Sequence, residues 1–426
     1  IDQADMFGAD PKYKYRPLWS VGGSWNVHRE DFFNINDINL LKLRLTYGIS
    51  GNVDQTTTPF LRGRLLTDVR GAYPSLQYLH FNDTDLPNPK LRWEKTETAN
   101  IGIDFGMWHW LSGSIDLYRR YSSDLLVLTE LDPTVGAQRR LINNGALLNK
   151  GIEVSLNATR KLTDDLQLSV GTTFAYNKNT IEKVSSKPTN AVEYARNPLL
   201  YYREGDDFNS LYAYRYKETT NGYPVYLDEN GNPNTTFDAN GVPTIKDIKN
   251  EDALVKLGTM NPTFNGALNL QLRYKVFEVS TMFVYAGGHK LRKDTYSINQ
   301  ENETHRDINQ RWTATNPTDM PRMSFDYPAT LRRAANTVNT LWQLGDNHVV
   351  NADYLKWRNI AFACYIPKDI CEKLGLQNAK VTAQLNNLLT WSAAGNDIDP
   401  EAYNLNTGTR TLPIATTALF GLSFSF

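Results

Sequence analysis

Stretches of about ten residues in which apolar and polar side chains alternate recur along this chain, joined in turn by very short and very long connections. Residues two apart in a strand share a face, so each stretch reads as a strand with one greasy and one wet face. In 40–50, Leu41, Leu43, Leu45, Tyr47 and Ile49 alternate with Lys42, Arg44, Thr46, Gly48 and Ser50. The basic residues exclude a dry core on the second face. The last nine residues set Ala418, Phe420, Leu422, Phe424 and Phe426 against Leu419, Gly421, Ser423 and Ser425. Chain ends are normally polar and frayed, so three Phe on one face of a terminal strand call for a core or a bilayer on that side.

The pattern predicts about eleven strands, at 17–27, 40–50, 96–105, 111–121, 150–160, 166–177, 264–274, 277–286, 353–365, 380–390 and 417–426. In 353–365 the apolar set changes phase, from Leu355 and Trp357 to Ile360, Phe362 and Cys364, which predicts a β-bulge near Asn359. Pro367 to Leu374 suits one or two helical turns. The long excursions fall at 51–95, 122–149, 178–263, 287–352 and 391–416, the third with Asn-Gly turns and small strands near 210–217 and 223–227.

Soluble sandwiches use strands of about five or six residues. Longer strands with one apolar face, short turns at one end and long loops at the other are the pattern of an outer-membrane barrel. The expected fold class is therefore all-β, an antiparallel transmembrane β-barrel portion. Its long loops face outward, and Phe426 lies at the periplasmic rim. An odd number of strands leaves two edges that lipid cannot satisfy. The expectation is that 1–426, with about 11 strands, forms the C-terminal half of something larger.

Composition narrows the alternatives. A formal charge of −1, with no Lys/Arg run beyond two residues, gives little support to a nucleic-acid surface. No window approaches the roughly 18 apolar residues of a membrane helix, which removes helical membrane proteins but not barrels. The opening at Ile1 neither reveals nor excludes a signal peptide. Cys364 and Cys371 match no zinc spacing; an oxidising compartment would allow a bridge between them, and two independent buried thiols are the plainer reading. The aromatics, at 12%, suit either interfacial girdles or a carbohydrate or peptide site.

Six segments carry a family resemblance: LLKLRLTYGISGN (40–52), NPKLRWEKTETANIGIDF (88–105), NNGALLNKGIEVSLN (143–157), RWTATNPTDMPR (311–322), DYLKWRNIAFACYIPKDICEKLGL (353–376) and VTAQLNNLLTW (381–391). In this order they resemble the second half of the SusC/RagA family of TonB-linked outer-membrane transporters. The resemblance implies import of a large nutrient, an oligosaccharide or oligopeptide, in the outer membrane of a Gram-negative bacterium. It also implies a plugged barrel of 22 strands, of which these are about 11 with the plug and N-terminal strands outside 1–426, a SusD-like surface lipoprotein as lid, and TonB acting through the missing N-terminal part.

Catalytic chemistry finds little footing. The six His show no HExxH or HxH spacing, and GGSWN at 22–26 lacks the final Gly of a nucleophile elbow. Asp228-Glu229-Asn230-Gly231-Asn232 opens like a calcium loop, but Pro233 stands where the turn Gly belongs, so it reads as an Asn-Gly turn. Polar-face carboxylates such as Asp104, Asp116 and Glu153 are expected of a barrel without catalysis. The chain is expected to be no enzyme and to need no cofactor or metal. Trp312, Trp342, Trp391 and Tyr403 fall in outward loops, where they either contact substrate or pack the loops and outer girdle. Phe420, Leu422, Phe424 and Phe426 are the membrane-facing side of the last strand. The competing reading is a secreted or surface β-rich glycan-binding protein whose greasy strand faces pack together.

Overall fold

The computed structural model describes residues 17–52, 61–67, 76–81, 86, 88, 90–132, 134, 139–185, 190–198 and 201–426. Eleven strands form one sheet in which every strand neighbours those adjacent in the chain. They are β1 (Trp19–Asn26), β2 (Ile38–Asn52), β3 (Glu94–Met107), β4 (Leu111–Glu130), β5 (Arg139–Lys161), β6 (Leu166–Lys183), β7 (Phe264–Tyr274), β8 (Phe277–Gly287), β9 (Tyr354–Tyr365), β10 (Asn378–Ser392) and β11 (Thr417–Ser425). The count and the order are those read from the alternation. β1 and β11 stand at the two ends of the order with one neighbour each, so the sheet is open among the described residues.

One expected excursion, 122–149, is mostly strand: β4 runs to Glu130 and β5 starts at Arg139. The alternation fails there for a local reason. Asp124 holds a left-handed φ of 57° inside β4, which breaks the phase of the side chains on either side. The excursion at 51–95 includes a small hairpin, Arg64–Thr67 with Gln77–His80, while its residues 53–60 and 68–75 lie outside the described set.

The chain divides into two compact units, residues 1–154, 176–187 and 202–208 in the first and the remainder in the second. In the first unit Leu45 pairs with Ile101 and Ile101 with Leu117, making an apolar row across β2, β3 and β4. This row is open to solvent, Leu45 at 60% exposure. On the other face Arg44 bridges Asp104 and Asp116, at 2.8 and 3.0 Å. The extensions of β4 and β5 are tied to the incoming chain by Asn143, whose Nδ2 donates to the carbonyls of Arg92 and Asp124, both at 2.8 Å.

In the second unit β7 to β11 form a continuous antiparallel ladder. The bulge expected near Asn359 is present. Phe283 pairs with Trp357 and Met282 with Asn359, which leaves Arg358 as the extra residue. Trp357 keeps its place on the apolar face by stacking on Phe283 at 5.6 Å and donating to Thr281 Oγ1 at 2.6 Å.

Most of the buried side chains of this unit are in its connections. One cluster gathers Tyr194, Tyr201, Tyr212, Tyr214 and Tyr226 around α1 (Ala191–Arg196). A second gathers Tyr296, Met323, Tyr327 and Trp342 around α2 (Ala335–Gln343), whose Val338, Leu341 and Trp342 share one helical face. A third holds Leu291, Ala352, Ala394, Ile398 and Tyr403. The small strands read near 210–217 and 223–227 appear as Ser210–Tyr214, Tyr216–Thr220 and Tyr223–Tyr226. The helical turns expected after Pro367 form α3 (Lys368–Lys373). Water-shielded cores in the loops and exposed apolar faces on the strands reverse the usual arrangement of a soluble protein.

Candidate functional site

The long connections of the second unit are held by three polar joints, each built on one arginine or lysine. Arg292, in the short strand Lys290–Arg292, is buried and donates Nη2 to the Tyr212 carbonyl at 2.6 Å and Nη1 to the Ala195 carbonyl at 3.1 Å and Asn406 Oδ1 at 3.3 Å. It thus links the connections 184–263, 288–353 and 393–416. Burial pulls its guanidinium down to about 10, because these partners are carbonyl dipoles that solvate the charge without neutralising it.

Arg410 makes a two-pronged contact with Asp294, which also accepts the Tyr403 hydroxyl at 3.0 Å. Burial alone would raise the Asp294 carboxyl. The hydrogen bonds from Arg410 and Tyr403 outweigh it and hold the group below the ordinary carboxylate range. At the third joint Lys356, on the polar face of β9, is only 5% exposed and reaches Asp399 at 2.6 Å and Glu401 at 2.8 Å. Arg358, the bulged residue, adds a contact to Glu401 at 2.6 Å. Lys356, Arg358, Thr390, Asp399 and Ile414 line a cavity of about 200 Å³ beside this joint.

The four aromatic candidates fall in different environments. Trp342 is 2% exposed, packed on Tyr296 and edge-on to His348, and Tyr403 is buried in the third loop cluster. Both pack against other loop side chains in this structure. Trp312 is half-buried beneath the Arg322 guanidinium, which lies 4.0 Å from its ring and 4.8 Å from that of Tyr223. Trp391, expected in a loop, lies within β10. It pairs with Leu355 and is 54% exposed on the apolar face beside Leu389. The ladder continues past Leu389 because a left-handed Asn387 beside the Arg358 bulge keeps the two strands in step.

Phe420, Leu422 and Phe424 pair with Ala383, Val381 and Ala379 of β10, and Phe420 is 84% exposed. Phe426 lies edge-on to Phe424 at 5.5 Å. Cys364 and Cys371 are separate thiols. Asp228 forms the expected turn: its Oδ1 accepts the backbone N–H of Asn230 and Asn232 at 2.9 and 2.8 Å. Asp238 makes the same turn ten residues later with Asn240 and Val242, a repeat of Asp-x-Asn-Gly visible in the sequence once the first is recognised.

Sequence reasoning missed the joints on Arg292, Asp294 and Lys356, because their partners lie tens of residues away in loops without period. A partial signal existed at Lys356, a cation on a strand's polar face followed by the acidic pair Asp399 and Glu401 in the next long connection.

Comparison with known proteins gives a consistent picture. Residues 2–201 match the family model "TonB dependent receptor-like, beta-barrel". The chain is 27% identical over 425 residues to TonB-dependent receptor P3 of Formosa agariphila, covering 95% of this chain and 40% of that protein. It is 28% identical over 249 residues to TonB-dependent receptor SusC of Bacteroides thetaiotaomicron, covering 54% of this chain and 24% of that one. Among solved structures, the RagAB peptide transporter superposes with a TM-score of 0.76 at 21% identity, over 98% of this chain and 44% of the other. The chain thus spans about 40% of the length of the relatives it matches end to end.

Proposed function

Taking as premise that this chain is SusC/RagA-like and carries the β-barrel fold of TonB-dependent receptors, we propose that it is part of the wall of an outer-membrane importer for large nutrients. The observation that carries this reading is the exposed apolar face of the strands, seen in Leu45, Ile101 and Leu117 and again in Leu389, Trp391, Phe420 and Leu422. A face of this kind is stable against lipid and not against water. The opposite face, with Arg44, Asp104 and Asp116, then looks into an aqueous or protein-filled interior. The residues 1–426 are the C-terminal part of the barrel. The remaining strands and the plug complete it and supply the contact with TonB.

The packed connections form the outward end, where a SusD-like lipoprotein covers the entrance and an oligosaccharide or oligopeptide is captured. Trp312 is the candidate for ligand contact that remains accessible, while Trp391 belongs to the aromatic belt. Phe420, Leu422, Phe424 and Phe426 face lipid. Transport is the whole task, with no chemical step. The test is uptake of labelled oligosaccharide and peptide libraries by cells of the source bacterium with the receptor intact, deleted, or intact in a TonB-deficient background. Uptake that needs both the receptor and TonB supports the reading. Uptake unaffected by losing either one overturns it.

A further inference from the structure

On the polar face of the second unit, asparagines recur at one level of the sheet. Asn269 of β7 pairs with Met282 of β8, Met282 pairs with Asn359 of β9, and Asn359 pairs with Asn386 of β10. The row extends to β5 through Gly171. A Cβ at that position would stand 3.1 Å from Asn157 Oδ1 and 3.9 Å from Asn269 Cβ, so the glycine forms a floor between two amides. One step nearer the short turns lies a second row, in which Gln271 pairs with Ser280, with Ser169 and Thr159 hydrogen-bonded to each other beside it. All of these residues except Asn386 line a groove of about 410 Å³ without a charged side chain.

The charge pattern around the groove sharpens its meaning. Charged residues on this face sit beyond the groove at both ends: Arg273, Glu278 and Lys380 toward the short turns, and Lys356 with its acidic partners toward the long connections. The side chains of Asn157, Asn269, Gln271 and Asn359 hold no hydrogen-bonded partner among the described residues. Each amide offers two donors and an acceptor with two lone pairs. Side chains of this kind pair with neighbouring hydroxyls in both directions. They give no counter-charge to a carboxylate or ammonium, which would pay its desolvation unrewarded.

We infer that this amide belt is a binding subsite for an uncharged, polyhydroxylated chain, that is, successive units of a neutral oligosaccharide held against the inner wall. The inference rests on the transport reading above, since only an importer brings a ligand to this wall. It adds a site and a preference: neutral sugars are retained at the belt, whereas charged oligopeptides gain nothing from it.

The experiment uses the complete receptor complex purified from outer membranes, as wild type, as Asn269→Ala/Asn359→Ala, and as Asn157→Ala. Titration calorimetry follows a neutral hexasaccharide, a uronate-bearing hexasaccharide and a hexapeptide. Correct folding is checked by heat-modifiable gel mobility. The neutral sugar is expected to bind about tenfold more weakly to the double variant, the loss of one or two neutral hydrogen bonds, with a smaller drop for Asn157→Ala. Peptide affinity is expected to be unchanged. Unchanged sugar affinity in a folded double variant would overturn the belt, as would an equal loss for the peptide, which would mark the amides as packing for protein segments. These outcomes are separable from failure of the transport reading, because TonB-dependent uptake is scored independently in intact cells.

Discussion

Arg410 grips Asp294 with two hydrogen bonds of 2.8 Å, Nε to Oδ2 and Nη2 to Oδ1, across 116 residues of sequence. This geometry joins the connections 288–353 and 393–416 directly, and Tyr403 closes it from the side with a third bond to the same carboxylate. Arg410→Ala is expected to loosen 393–416 by about 1 kcal/mol, the modest value reflecting partial exposure of the guanidinium. Amide hydrogen exchange would show faster exchange across that segment and unchanged exchange in β10. The folded Asp294 carboxyl is held low, so its contribution is full above the ordinary carboxylate range and is lost as pH falls through the folded value.

His348 gives a second pH dependence of different origin. Burial against Trp342, reinforced by the neighbouring charges of Arg292 and Lys293, pulls its imidazole down to about 4. Between about 6.5 and 4 the unfolded chain binds a proton that the folded loops refuse, so stability falls as pH drops through that window, by up to about 3 kcal/mol. Arg292, Lys293 and His305 all act in the same downward direction, and the backbone hydrogen bond at Trp342 only partly opposes them. His348→Gln should flatten the profile when loop protection is followed by limited proteolysis from pH 7 to pH 4. An unchanged slope in that variant would assign the effect elsewhere.

Gly266 of β7 occupies a position where a side chain has no room. An added Cβ would lie 2.1 Å from the Thr173 carbonyl oxygen and 2.4 Å from the Tyr285 hydroxyl. The first of these is backbone and cannot swing aside. Gly266→Ala is therefore expected to cost about 1–3 kcal/mol through overpacking and to lower the temperature at which the barrel loses its compact gel mobility. Asn265→Ala, one position away and exposed, should leave that temperature unchanged.

The terminal strand offers an assembly test. Deleting Phe426, or changing Phe424→Asp, should block insertion, since a carboxylate on the stripe proposed to face lipid is disfavoured and the last aromatic pair is lost. Surface levels of the full receptor measured with an antibody to an outward loop would fall to near background. Normal levels of both variants would contradict the assigned face.

The sheet was legible because its physics is local. A strand between an apolar medium and a wet one must alternate, so period two located all eleven strands, and the phase change at Trp357 and Ile360 announced the bulge now centred on Arg358. Where that constraint lapses the reading failed. The extensions of β4 and β5 around Asp124 and Asn143 are held by hydrogen bonds between distant residues, and no periodicity reports those. The loops were harder still. Trp342 and Tyr403 look like exposed aromatics in a polar sequence, yet partners such as Tyr296 and Asp294 lie tens of residues away and bury them. Residue types set the candidates there, and only tertiary pairing decided which remain accessible.

The central claim is that one face of these strands meets lipid. It is tested most directly by placing single spin-labelled cysteines along β2, β3 and β10 of the complete receptor in lipid vesicles. Labels at 43, 45, 101 and 389 should collide with dissolved oxygen and not with a water-soluble nickel chelate, while labels at 46, 100 and 384 should show the reverse or contact with neither. Collision with the chelate at the first set, with no period of two along the strands, would contradict a membrane wall and favour a water-exposed sheet.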